Sequence, residues 1–331
     1  VAFSTSPLLQ PDTWVRSGLL VFDAAVAAAA TFVLLVGFPP AVLFMQAHFE
    51  EQLARLVQAA LAEDVGDGDH STLSCIPAGS RGKAILKIKQ AGRLAGVQVA
   101  RQIFDMVEPG VQWQALKQDG DEMQPGEAAF TVEASIHTIL KCERLVLNCM
   151  QRMSGIATLT HTYVQALAGY RTRLLDTRKT TPNFRLLEKE AVRIGGAVNH
   201  RFGLYDMIML KDNHIHYAGG IEKAIEAAWR YVNEVKPGLK IEVETRNLDD
   251  VKRVAVVGRG KVFRVMVDNF APEAISEALQ VLGSDFETEA SGGITLDNIG
   301  EYAATGVDYI SSGALIHQAR SLDMSLKALP A

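Results

Sequence analysis

Ile241-Glu242-Val243-Glu244, Val265-Met266-Val267-Asp268 and Tyr309-Ile310-Ser311-Ser312-Gly313 share one pattern: a short β-prone run that ends in a charge, a hydroxyl or a glycine. Leu174-Leu175-Asp176, Met207-Ile208-Met209-Leu210-Lys211 and Glu287–Gly293 repeat it, and a weaker run ends at Asn199-His200-Arg201. Most are followed by residues at helical spacing, which gives about seven strands alternating with helices over roughly 150 residues. Such alternation with continuously apolar strands predicts a parallel sheet covered on both faces. No G-x-G-x-x-G follows any strand, which disfavours a dinucleotide-binding sheet. A closed or nearly closed α/β barrel fits better, with one strand fewer than the usual eight.

Upstream, Phe49 to Leu61 has helical spacing and runs into a turn-rich acidic loop, Glu63–Asp69. That loop lacks the ligand spacing and the closing bidentate Glu of a calcium site. Gly82 to Val132 reads as strands at Ala84–Lys89, Val111–Leu116 and Ala128–Val132, separated by turns such as Gln118-Asp119-Gly120-Asp121. Thr138 to Leu167 returns to helical spacing, with a break expected at Ser154-Gly155. Cys142 and Cys149 share a face there and read as small core residues. His161 and His137 read as structural or solvated, and Gly195-Gly196 as a helix stop.

Composition narrows the function. The chain has 331 residues, a formal net charge of -5 and no run of Lys or Arg. Binding to nucleic acid or to an anionic membrane needs a basic footprint, so neither is expected. Three scattered cysteines give neither a disulfide framework nor a zinc site and suit a reducing cytosol. Gly18 to Met45 is almost wholly apolar, but the clean run Ala24–Phe38 is shorter than a membrane helix of about 20 residues. The chain starts at Val1 with no Met before Met45, so the expectation is that Met45 is the natural start and that residues 1–44 are an extension.

In α/β barrels the loops after the strands converge, so chemistry sits at the strands' C-terminal ends. One charge there could be a helix cap. Here Asp176-Thr177-Arg178-Lys179, Lys211-Asp212-Asn213-His214, Glu244 and Asp268-Asn269 come in succession. Glu242 and Glu244 share one strand face by the period of two. Arg178, Lys179, His200, Arg201 and Lys211 at one mouth would repel unless anions lie between them, which predicts a polyanionic substrate. Ser291-Gly292-Gly293 and Ser312-Gly313-Ala314 end the last two strands, where backbone N–H groups and a following helix N-terminus favour a phosphate. His214-x-His216 has no third metal ligand at helical spacing.

These motifs carry a resemblance. Asp176–Pro182, Asn199–Asp206, Leu210–Ile215, Glu143-Arg144, Met153–Thr158 and Ser291–Ile294 are similar to those of the quinolinate phosphoribosyltransferases, over about Gln46 to Leu326. Asn183-Phe184 and Ala197 depart from the common pattern at uncharged positions. The resemblance implies an N-terminal α/β sandwich domain, 45–152, on an incomplete seven-stranded α/β barrel, 153–331. It implies that quinolinate and phosphoribosyl pyrophosphate give nicotinate mononucleotide, pyrophosphate and CO2, with Mg2+. It assigns Arg144, Arg178, His200, Arg201 and Lys211 to quinolinate's carboxylates, with Lys179 shared with the pyrophosphate. Glu244 and Asp268 would bind ribose hydroxyls and magnesium, and Ser291, Gly292, Gly293, Gly313 and His317 the 5′-phosphate.

It also implies a homodimer. Arg144 lies in the helical stretch before the barrel, so a partner subunit would bring it to the mouth. The rival readings are a paralogue with another acceptor and a silent phosphoribosyl-binding protein. The cation set argues against the first, and retention of both Glu244 and Asp268 against the second.

Overall fold

The computed structural model describes residues 40–330, with side chains from residue 48. The apolar run Ala24–Phe38 lies outside the described residues, whereas Met45, the expected start, falls within the first helix, Pro40–Val65. Among the described residues no helix is long and apolar enough to cross a membrane. The chain divides into compact units at 1–55 and 56–331. In the first, Glu51 pairs with Arg55 one helical turn on.

The elements in chain order are α1 (Pro40–Val65), α2 (His70–Cys75), β1 (Arg81–Ile88), β2 (Gly92–Arg93), α3 (Val97–Val107), β3 (Gln112–Ala115), β4 (Glu122–Met123), β5 (Ala128–Ser135) and α4 (Ile136–Ala166). Then come β6 (Arg173–Leu175), α5 (Arg185–Ile194), β7 (Ile208–Leu210), α6 (Asp212–Ala218), α7 (Ile221–Glu234), β8 (Ile241–Thr245) and α8 (Leu248–Val257). The chain ends with β9 (Arg264–Asp268), α9 (Pro272–Leu282), β10 (Glu287–Ser291), α10 (Ile299–Ala304), β11 (Tyr309–Ser311), α11 (Ala314–His317) and β12 (Met324–Leu329).

An antiparallel sheet in the order β12-β1-β5-β3 alternates buried and exposed positions, as a sheet covered on one face should. Its core holds Trp113 stacked on Phe130 at 4.0 Å, with Phe104 of α3 set edge-on to Phe130. Aromatic pairs of this kind contribute about 1 kcal/mol beyond area burial. Helix α3 is a correction to the reading of Gly82–Val132 as strands alone. Val97, Ala100, Ile103 and Phe104 form its buried stripe. Its opening N–H groups, on Val97 and Gln98, donate to the Asp119 carboxylate at 2.8 and 3.2 Å.

The second sheet is parallel, ordered β7-β8-β9-β10-β11-β6. The seventh, weaker run is reduced to a single bridge, Leu175 to Val198, beside β6. β8 is buried at every position, as expected of a strand covered on both faces.

Helix α4 is continuous through Ser154-Gly155, where a break was expected. Those two residues serve close packing instead. Ser154 Oγ accepts from the Ala95 N–H at 2.9 Å. A Cβ on Gly155 would fall 1.9 Å from the Arg320 carbonyl oxygen, so any side chain there would push the C-terminal segment away. The boundary drawn at 152/153 therefore falls inside one helix. The last strand also returns to the first sheet, β12 pairing antiparallel with β1 from Lys83–Leu329 to Ile88–Met324. Cys142 and Cys149 are buried, and burial pushes both thiols up to about 12, consistent with inert core residues.

Candidate active site

Parallel register puts the chemistry at one end. Glu244 lies opposite Met266, and Asp268 opposite Ser291, so the last inward-facing side chains of β8, β9 and β10 form one rim. Glu242, Arg264 and Glu289 stand on the same strands at even steps below it and share the inward face.

Three groups of residues make the rim. In the first, Lys211 Nζ stands 3.2 Å from Glu244 Oε2, and Arg246 lies 3.7 Å from Glu244 Oε1 and 2.9 Å from Asp212. In the second, Ser291 Oγ donates to Asp268 Oδ1 at 2.6 Å and Asn269 Nδ2 to Oδ2 at 2.8 Å. Gly292 has φ +89°, and a Cβ on it would meet Asn269 Oδ1 at 2.2 Å, so glycine is required on both counts. In the third, a Cβ on Gly313 would lie 3.0 Å from Lys179 Cδ and 3.2 Å from the His317 ring.

Gly313 opens α11 directly. After Ser291-Gly292-Gly293 the next helix begins only at Ile299, so that glycine pair offers backbone N–H groups without the helix N-terminus expected behind it.

The remaining cations occupy the 177–184 and 199–206 loops. Arg201 donates to the Met207 carbonyl at 3.2 Å, and its guanidinium is lowered from its ordinary value by burial and by Arg178. Arg178 Nε is buried with no hydrogen-bond partner. Two guanidiniums are therefore near enough to repel, and one of them keeps a buried unsatisfied donor, the arrangement expected of an anion site.

His200 sits deeper, 7% exposed. Its Nε2 lies 3.0 Å from Glu242 and 3.3 Å from Glu289, while the Arg201 N–H donates to Nδ1 at 2.7 Å. Burial opposes charge on the ring, but the two carboxylates outweigh it and push the pKa up to about 9. The Arg201 N–H that donates to Nδ1 needs a bare nitrogen there and so works against a second proton on the ring. Burial, with Glu289 beside it, raises Glu242. Burial opposes ionisation of Glu289 too, yet His200, Ser311 and Arg264 hold its pKa low.

His200, Glu242 and Glu289 bring three ligand atoms within 4.8 Å of one another. Arg264 stands 3.0 Å from Glu289 and 2.8 Å from Glu287, so a cation already lies beside this group. Sequence reading missed Glu289 and Arg264, although the same period of two that linked Glu242 to Glu244 links Glu289 to Ser291. It also missed Lys189, whose Nζ is 2.6 Å from Asp176 Oδ1.

Arg144 is exposed on α4, a helix that packs on α3 and β1, and makes no ion pair among the described residues. His214 accepts from the Lys211 N–H at 3.1 Å, so it serves the start of α6. His161 lies 2.7 Å from Arg93.

Residues 156–327 match the model of the quinolinate phosphoribosyl transferase C-terminal domain, and residues 69–154 that of its N-terminal domain. The chain belongs to the quinolinate phosphoribosyl transferase family. A tobacco (Nicotiana tabacum) member named quinolinate phosphoribosyltransferase (decarboxylating) 1b is 39% identical, over 97% of this chain and 93% of its own. A Synechocystis member named probable nicotinate-nucleotide pyrophosphorylase (carboxylating) is 41% identical, over 82% of this chain and 90% of its own. The crystal structure of NadC from Streptococcus pyogenes has a TM-score of 0.77 at 40% identity, covering 84% of this chain and 98% of that one. The six-stranded parallel sheet joined to an antiparallel sheet is thus the fold of this family.

Proposed function

We propose that this chain transfers the phosphoribosyl group of phosphoribosyl pyrophosphate to quinolinate and releases pyrophosphate and CO2, yielding nicotinate mononucleotide for NAD biosynthesis. The observation that carries this reading is Arg178 Nε, buried and unpartnered beside Arg201. Two neighbouring guanidiniums suit two adjacent carboxylates, each of which accepts planar, paired hydrogen bonds. The names of the tobacco and Synechocystis relatives support the same reaction.

The steps follow from the residues. Arg178, Arg201 and Lys211 hold the two carboxylates and turn the pyridine nitrogen toward the ribose. That nitrogen attacks C1 of the sugar as the bond to pyrophosphate breaks, with its electron pair leaving on the pyrophosphate. Positive charge develops on the ribose, where Glu244 and Asp268 supply preorganised negative charge. Lys179 and His317, beside Gly313, neutralise the phosphates, and Ser291, Gly292 and Gly293 offer hydroxyl and backbone donors. The ring nitrogen is now cationic, so the bond to the neighbouring carboxylate can break toward it. CO2 leaves and a solvent proton completes the product, with no protein nucleophile.

His200 accepts the Arg201 N–H at Nδ1 and turns Nε2 toward Glu242 and Glu289, and we assign it to holding this loop as well as facing the substrate. Magnesium suits the oxygen-only donor set of Glu244 and Asp268. Two carboxylates already engaged with Lys211, Ser291 and Asn269 are few for an ion alone, so the diphosphate would supply the other ligands. Arg144, exposed and without an ion pair among the described residues, suits a reciprocal dimer in which a partner brings it to the mouth. The few scattered thiols suit the cytosol.

The test is incubation with phosphoribosyl pyrophosphate, Mg2+ and quinolinate labelled in the carboxylate next to nitrogen. Labelled CO2 and pyrophosphate should appear in equal amounts. Pyrophosphate release with another acceptor and none with quinolinate would overturn the assignment.

A further inference from the structure

Asp176 follows β6 directly and Lys189 lies on α5, and they are 0% and 1% exposed. Lys189 Nζ donates to Asp176 Oδ1 at 2.6 Å and to the His200 carbonyl at 3.0 Å. The same Oδ1 accepts from the His200 N–H at 2.7 Å. The Asn199 amide, turned so that its nitrogen faces acceptors, donates to Asp176 Oδ2 at 2.8 Å and to the Lys189 carbonyl at 3.0 Å.

A buried ion pair is poor value for stability, because desolvation offsets much of the attraction between its charges. What this pair supplies is geometry. Both of its charged ends are bonded to the backbone of one residue, His200, and Arg201 follows immediately. Two residues beyond Asp176 along its own loop stands Arg178. One carboxylate therefore lies at the root of both loops that bear these two guanidiniums.

We infer that Asp176 and Lys189 are a positioning pair that sets the spacing of Arg178 and Arg201, and with it the preference for a ligand carrying two adjacent carboxylates. This rests on the function proposed above, whose substrate specificity it explains. The pair touches no substrate and acts through the loop it holds.

The pair can be replaced without leaving a lone buried charge, by the double variant Asp176→Asn/Lys189→Met. In the ligand-free protein, amide exchange at His200 and Arg201 should quicken tenfold or more relative to β8. The Kd for quinolinate should rise tenfold or more, while that for phosphoribosyl pyrophosphate stays within twofold. Asn199→Ala, at an exposed position, removes bonds to the pair and leaves both charges in place. It should shift exchange and quinolinate affinity in the same direction by threefold or more, which keeps the inference testable if the double variant does not fold.

Unchanged exchange in a folded double variant, or equal weakening of both ligands, would overturn the inference, as would a silent Asn199→Ala. If the parent protein binds no quinolinate, the proposed function fails, and the exchange rates still decide whether the pair holds the loop.

Discussion

Lys211 and Glu244 form an ion pair 3.2 Å long at the rim, joining the cation proposed for quinolinate to the carboxylate proposed for the ribose. Lys211 is 45% exposed, so the pair is worth less than about 1 kcal/mol. It can part when substrate enters.

Glu244→Gln frees Lys211 and removes negative charge from where the ribose becomes cationic. Turnover should fall about a hundredfold or more, and Asp268→Asn should do the same. Because the broken pair is weak, the Kd for quinolinate should change less than about fivefold. Steady-state kinetics beside calorimetry checks both, and near-normal turnover in either variant removes that residue from the mechanism.

Nicotinate has one carboxylate where quinolinate has two. It would leave a partly buried guanidinium unpaired, at a cost of several kcal/mol, so quinolinate should be preferred by about a thousandfold or more. A coupled pyrophosphate assay with each acceptor measures the ratio. Comparable rates would show that Arg178 and Arg201 do not act together.

Asp176 gives stability a pH dependence of known sign. Burial pushes its carboxyl up to about 6, above the ordinary value, despite Lys189. Between roughly pH 4 and 6 the native state therefore holds a proton that the unfolded state has lost. Its contribution is full below about pH 4 and disappears as pH rises through 6, a change of up to about 3 kcal/mol. Urea unfolding at pH 4.5 and 6.5 should show wild type losing stability relative to Asp176→Asn/Lys189→Met, which removes both titrating groups, as pH rises. Parallel behaviour of the two proteins would contradict the shift.

Arg144→Ala and Lys211→Ala should each be nearly inactive if a dimer partner supplies Arg144. Co-refolded, about half the dimers would be hybrids with one intact site, restoring roughly a quarter of wild-type activity. Demonstrated subunit exchange without recovery would show that Arg144 is not shared.

Much of the barrel was legible because fully buried strands read as short apolar runs, and the charges that end them stood out against β8, β9 and β10. Helix α3 was not, because its cap is Asp119, 22 residues from Val97 in sequence. Ser154-Gly155 looked like a helix break since glycine weakens helices. The Arg320 carbonyl that makes glycine necessary at position 155 lies far along the chain.

By itself the sequence determined the alternation of strand and helix, the ring of charges at the strand ends and the family. These are local in the chain, fixed by a period of two and by residue type. Tertiary structure alone decided that Lys189 is a buried partner of Asp176, that His200 is closed in by Glu242 and Glu289, and that the last strand completes the first sheet. Each depends on which distant groups meet away from water, where charge must find a partner or give up its proton.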